Sequence, residues 1–288
     1  MPPRFGSFLA LSPHGFTRVA YSDWGPPNSE RVVICVHGLT RNARDFDRLA
    51  DALAERGARV VAPDVPGRGR SDWLAAAEDY GYPFYNAALA ALLAHLRVES
   101  VEWVGTSMGG VIGMTLAAQP NTPIRKLVLN DVGAFIPKAS LEQLGTYAGA
   151  DPRFADVAAV EAYFRQVHAP FGKLTDFEWR HLSEHGAVPD GSGRLRLHYD
   201  PAIAQALTAG PMEDIALWPV WDRVACPVLI IRGAASGLLL KETAAEMLAR
   251  GAAGTKGMVE FVEIPDCGHA PALMAADQVA LVRDWLAR

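Results

Sequence analysis

Residues 31–36 (RVVICV) form an unbroken apolar run, the pattern of a strand covered on both faces. Similar short runs recur at 59–62, 100–104, 126–129, 228–231 and 259–264, and each predicts a strand. Between them the spacing changes to that of helices. Phe46, Leu49, Ala50 and Leu53 repeat at helical intervals over 43–56, and Gly57 marks the stop. Residues 85–96, 111–119, 242–249 and 278–286 give further helices. Two strand-like pieces, 7–12 and 17–24, come first and end in a Gly-Pro-Pro-Asn turn. Strands alternating with helices predict an α/β fold with a doubly wound, mostly parallel sheet.

The rhythm lapses between residues 135 and 220. Aromatic and charged residues mix there (Tyr163, Phe164, Trp179, Trp218), helical periodicity comes in pieces, and no parallel-type strand is visible. The expected organisation is a core of residues 1–134 and 221–288 with a helical cap, 135–220, inserted over the carboxyl ends of the strands. A chain of 288 residues can bury a core of that size. A net charge of −5 without long blocks of one sign argues against nucleic acid and against a polybasic membrane anchor. No apolar stretch approaches bilayer length, and the first residues lack a signal-peptide core, so a cytoplasmic protein is expected. The odd count of three cysteines, Cys35, Cys226 and Cys267, fits neither a disulfide framework nor a metal site.

Chemistry concentrates at Gly105-Thr106-Ser107-Met108-Gly109, placed between a predicted strand and a predicted helix. In that context the pattern reads as a nucleophile elbow: the glycines let strand and helix approach, and a strained serine is lifted above the sheet. Three further landmarks stand in order around it: His37-Gly38 after a strand, Asp64-x-Pro66-Gly67-x-Gly69-x-Ser71, and Gly268-His269 near the end. Taken together the chain resembles an α/β-hydrolase fold protein, of the serine esterase kind with a helical cap.

The resemblance implies Ser107 as nucleophile and His269 as general base. It also implies an oxyanion hole of the Met108 and Leu39 N–H groups, with His37 bracing the loop. Its usual acid falls in the loop after the strand 228–231, yet Gly233-Ala-Ala-Ser236-Gly237-Leu238 holds no carboxylate. Asp131, at the end of the neighbouring strand 126–129, is one substitute. Loss of the acid at Ser236 or Gly237 is another, and loss of catalysis a third. Arg41, directly after the oxyanion loop, is a candidate partner for a substrate carboxylate, against a solvated helix start with Asn42 as its N-cap. Trp179 and Trp218 are candidate pocket walls, against a role in the insertion's own core. His168, His181, His185 and His198 in the cap are within reach of a substrate there, but read first as a solvated face.

The expected activity is hydrolysis of a small-molecule carboxylic ester without cofactor or metal. A carbon–carbon or lactone hydrolase of the same fold, or a ligand-binding protein with a degenerate triad, stays open. Epoxide hydrolases and dehalogenases of this fold need an aspartate where Ser107 stands.

Overall fold

The structure, a computed structural model, describes residues 2–205 and 210–288. Strands β1 (Arg4–Ser12) and β2 (Gly15–Trp24) form an antiparallel hairpin. β3 (Val32–Val36), β4 (Arg59–Pro63), β5 (Val101–Thr106) and β6 (Ile124–Asn130) follow, with helices α1 (Asp47–Ala54), α2 (Tyr82–Leu96) and α3 (Met108–Ala117) between them. After the middle segment come the last two strands of the large sheet, Val228–Gly233 and Val259–Ile264, and the helices Lys241–Ala249 and Ala276–Leu286.

The eight strands are ordered β1-β2-β4-β3-β5-β6, then Val228–Gly233, then Val259–Ile264. From β4 across to Val259–Ile264 every pairing is parallel, while β2 runs antiparallel to β4. All five residues of β3 are buried, and they divide by alternation. Val32, Ile34 and Val36 join one core with α2 and α3, while Val33 and Cys35 join another with α1 and the helix Ala276–Leu286. A strand sandwiched in this way has no wet face, which is why it reads as a continuous apolar run.

The middle segment departs from an all-helical insertion. It holds α4 (Lys138–Ala148), α5 (Val157–Val167) and α6 (Asp176–Gly186), as its helical periodicity suggests. It also holds two small antiparallel sheets: β8 (Arg153–Phe154), β10 (Leu195–Leu197) and β9 (Ala187–Pro189) in one, and β7 (Phe135–Ile136) with β11 (Ile215–Ala216) in the other. Strands of two or three residues are too short to show a period of two. The core of this segment is continuous with that beneath it: Leu141, Phe154, Val160, Phe164, Trp179 and Leu197 belong to the α2–α3 cluster. No helix of the described residues is long and apolar enough to cross a membrane.

Candidate active site

The elbow is built by close approach. A Cβ on Gly105 would lie 2.3 Å from the Gly109 carbonyl oxygen, and one on Gly109 would lie 2.0 Å from that of Val36. Any side chain at either position would push α3 off the sheet. Trp103, fully buried on β5, fixes the turn from below by donating from Nε1 to the Gly109 carbonyl at 3.0 Å. Between these contacts Ser107 takes φ 51° and ψ −115°, outside the relaxed regions for a side-chain-bearing residue.

Ser107 Oγ lies 2.9 Å from His269 Nε2, and His269 Nδ1 lies 2.7 Å from Asp131 Oδ2. Asp131 follows β6, with φ 56° and no solvent exposure. Its backbone N–H donates to the Ile231 carbonyl at 2.7 Å, and its Oδ1 accepts from the Gly233 N–H at 2.8 Å. Ser236 donates its hydroxyl to Oδ2 at 2.6 Å. The strand Val228–Gly233 contributes its last amide, and the loop after it, which lacks a carboxylate of its own, a hydroxyl; together they hold the carboxylate from β6. Gly237 is exposed, and its carbonyl accepts from the Ser140 hydroxyl at 2.6 Å.

His37 is sealed in the fold. Its Nδ1 donates to the Gly38 carbonyl at 2.7 Å and its Nε2 accepts from the Val65 N–H at 2.9 Å. Burial lowers its pKa to about 4, so the ring is a neutral brace. Asp64 anchors the following turn by accepting from the Ala43 and Arg70 N–H groups. Arg68, fully buried, ties the loop at Leu39 to the start of α3. Its Nε donates to the Leu39 carbonyl at 2.8 Å, and its Nη2 lies 3.7 Å from the Met108 sulfur. Met108 opens α3, so its N–H is one of the first-turn donors left without a partner inside the helix.

Two cavities meet at this constellation. One, of about 40 Å³, is lined by Leu39, Arg41, Ser107 and Phe171 among others. The second, of about 110 Å³, lies on the far side of His269 against Ser140, Gln143, Pro170 and Leu238. Leu144, Tyr147, His168 and His269 line both. Leu144 and Tyr147 are one helical turn apart on α4, and His168 closes α5. Burial pushes the Tyr147 hydroxyl up to about 12 and holds the His168 imidazole well below its ordinary value.

The remaining expected site residues fall in different places. Arg41 is not solvated: it is 5% exposed, Nε and Nη2 bind Asp45 at 2.9 and 2.8 Å, and its guanidinium lies 4.8 Å from the Phe164 ring centroid. Asn42 does cap the helical turn after it, accepting from the Arg44 N–H. Trp179 is buried on α6, with the Arg165 guanidinium 5.6 Å from its ring centroid. Trp218 carries the Arg250 guanidinium at 4.7 Å. Neither tryptophan lines the two cavities. Of the two readings for His168, the solvated face does not hold: the side chain is 6% exposed and walled by Phe164, Phe171 and Tyr147. Its signal in the sequence is the aromatic company at 163, 164 and 171, which surrounds it on both sides.

Comparison with known proteins agrees with this architecture. Residues 31–275 match the family described as alpha/beta hydrolase fold. A 3-hydroxybutyrate-oligomer hydrolase of Cupriavidus necator is 46% identical over 97% of this chain and 96% of its own length. A 2-(acetamidomethylene)succinate hydrolase of Mesorhizobium japonicum is 30% identical over 72% of each chain. Among solved structures, an alpha/beta hydrolase from Novosphingobium aromaticivorans superposes with a TM-score of 0.86 at 32% identity, covering 98% of both chains.

Proposed function

We propose that this chain, a hydrolase that belongs to the alpha/beta hydrolase fold family, is a serine esterase acting on short oligoesters of 3-hydroxyacids. The observation that carries this reading is the unbroken hydrogen-bonded line Asp131–His269–Ser107, opening on a pair of small cavities. The substrate class comes from the Cupriavidus necator relative, which matches nearly end to end.

In this mechanism Ser107 Oγ attacks the ester carbonyl while His269 Nε2 takes its proton. Asp131 steadies the imidazolium, its own charge held by the Gly233 amide and the Ser236 hydroxyl. The N–H groups of Met108 and Leu39 receive the oxyanion, each contributing on the order of 3 kcal/mol to the barrier reduction. The acyl unit occupies the cavity of about 40 Å³ beside Ser107. The departing alcohol, protonated by His269, leaves through the cavity of about 110 Å³ that His269 borders. Water then cleaves the acyl-enzyme by the same steps in reverse order.

Residues 135–220 serve as the cap in this reading, since α4 and the end of α5 wall both cavities. A cytoplasmic setting fits three free thiols without a disulfide. Arg41, whose charge would favour a carbon–carbon or lactone substrate, already spends two nitrogens on Asp45, and this leaves the ester reading ahead.

The test is hydrolysis of 3-hydroxybutyrate dimer and trimer, followed as released monomer, by the wild type and by Ser107→Ala. The substitution is expected to lower kcat by at least about 10⁴-fold. Undiminished turnover in that variant, or oligomers left intact by the wild type, would overturn the proposal.

A further inference from the structure

The two cavities that meet at His269 share His168, a buried polar side chain with nothing bound to it. His168 is 6% exposed, and among the described residues its imidazole has no hydrogen-bond partner. Its contacts are aromatic: stacked on Phe171 at 4.6 Å between centroids, edge to Phe164 at 5.1 Å, and edge to Tyr147 at 6.2 Å. Such packing fixes the plane of the ring without occupying its nitrogens. Among the described residues, the side-chain nitrogens and oxygens sealed in protein without a partner are Arg41 Nη1, Asn86 Oδ1, Asn130 Oδ1 and Arg196 Nε. The His168 nitrogens are not among them, and His168 is a wall of both cavities.

A polar group in an apolar wall costs stability unless something bonds to it, and at a binding site that partner is the ligand. A neutral imidazole presents one donor and one acceptor, and a hydroxyl can answer either. Burial, aided by the Arg41 charge, keeps this ring neutral, so it attracts a hydroxyl in preference to a carboxylate. A 3-hydroxyacyl unit carries its hydroxyl two carbons from the ester carbonyl, and His168 lines the same small cavity as Ser107.

We propose that His168 hydrogen-bonds the 3-hydroxyl of the acyl unit and is the residue by which this chain selects 3-hydroxyacyl over unsubstituted acyl esters. This rests on the esterase reading above. A site that bonds a substrate hydroxyl discriminates against the analogue lacking it, because the protein group is left desolvated and unpaired.

The experiment compares p-nitrophenyl 3-hydroxybutyrate, as separate enantiomers, with p-nitrophenyl butyrate on wild type, His168→Phe and Tyr147→Phe. Phenylalanine keeps the ring and its stacking while removing both nitrogens; His168→Met replaces it if that variant fails to fold. The wild type is expected to prefer one hydroxy enantiomer over butyrate by roughly 10- to 100-fold in kcat/KM. The ratio should collapse toward unity in His168→Phe and persist in Tyr147→Phe. A wild type without preference, or a preference that survives in His168→Phe, overturns the assignment. Cleavage of none of the esters would instead sink the esterase reading itself, so the two failures are distinguishable.

Discussion

In the proposed mechanism Asp131 is the acid of the triad, and its surroundings make separable demands. Its carboxylate accepts from the Gly233 amide, the Ser236 hydroxyl and His269, with no water contact. Asp131→Asn keeps the shape but removes the charge facing the imidazolium and favours the wrong histidine tautomer. A fall in kcat of about 10⁴-fold is expected, measured on any activated ester. Ser236→Ala removes one of the donors to the carboxylate and should cost far less, within about 10-fold. Gly237→Asp should not restore activity to the Asp131→Asn enzyme by more than a few fold, because His269 Nδ1 is bonded to residue 131. Strong rescue would mean that the loop after Val228–Gly233 is the working position for the acid. The ambiguity between these two positions in the sequence has a physical origin. Asn130 and Ile231 are register partners on adjacent strands, so residues about a hundred positions apart end beside the same histidine.

At the scale of elements, the elbow is the most tightly specified unit. Gly109→Ala places a methyl group against the Val36 carbonyl, a backbone atom that cannot step aside. Separating α3 from β3 is expected to cost about 1–3 kcal/mol or more, lowering Tm by several degrees. It should also reduce kcat, because the Met108 amide moves with the helix. Thermal melts alongside initial rates check both, and an unshifted Tm would contradict the packing argument. This element was legible in the sequence for the same reason that it is intolerant, since its glycines are required by contact. The large sheet was legible because two-sided burial writes itself as apolar runs such as residues 32–36. The small sheets of the middle segment were not, since Arg153–Phe154 and Ile215–Ala216 are too short to carry a period. Nor was the environment of His168 legible, because the cavity walls come from α4, α5 and the loop before His269, which only the fold brings together.

Across the whole molecule, buried histidines set the response to acid. Burial lowers His37 to about 4 and His168 well below the ordinary 6.5, while His185 is also lowered to about 4. Between pH 6.5 and 4 the unfolded chain therefore binds protons that the folded chain refuses, and stability falls as pH falls through that window. His37 alone contributes a loss of roughly 3 kcal/mol across it. His14, raised by its hydrogen bond to Asp79, opposes this trend but stands in solvent. Denaturant midpoints should drop steadily from pH 6.5 to 4.5, and the ring signals of His37 and His168 should stay untitrated in NMR above pH 5. A midpoint independent of pH, or early titration of both rings, would refute this. The Asp131 carboxylate has a second consequence. By accepting from the Gly233 amide it laces β6 to the neighbouring strand just beyond the last rung of their ladder. The group proposed as the acid is thus also a fastening of the scaffold, so variants selected only for robustness would tend to retain it even under no demand for activity.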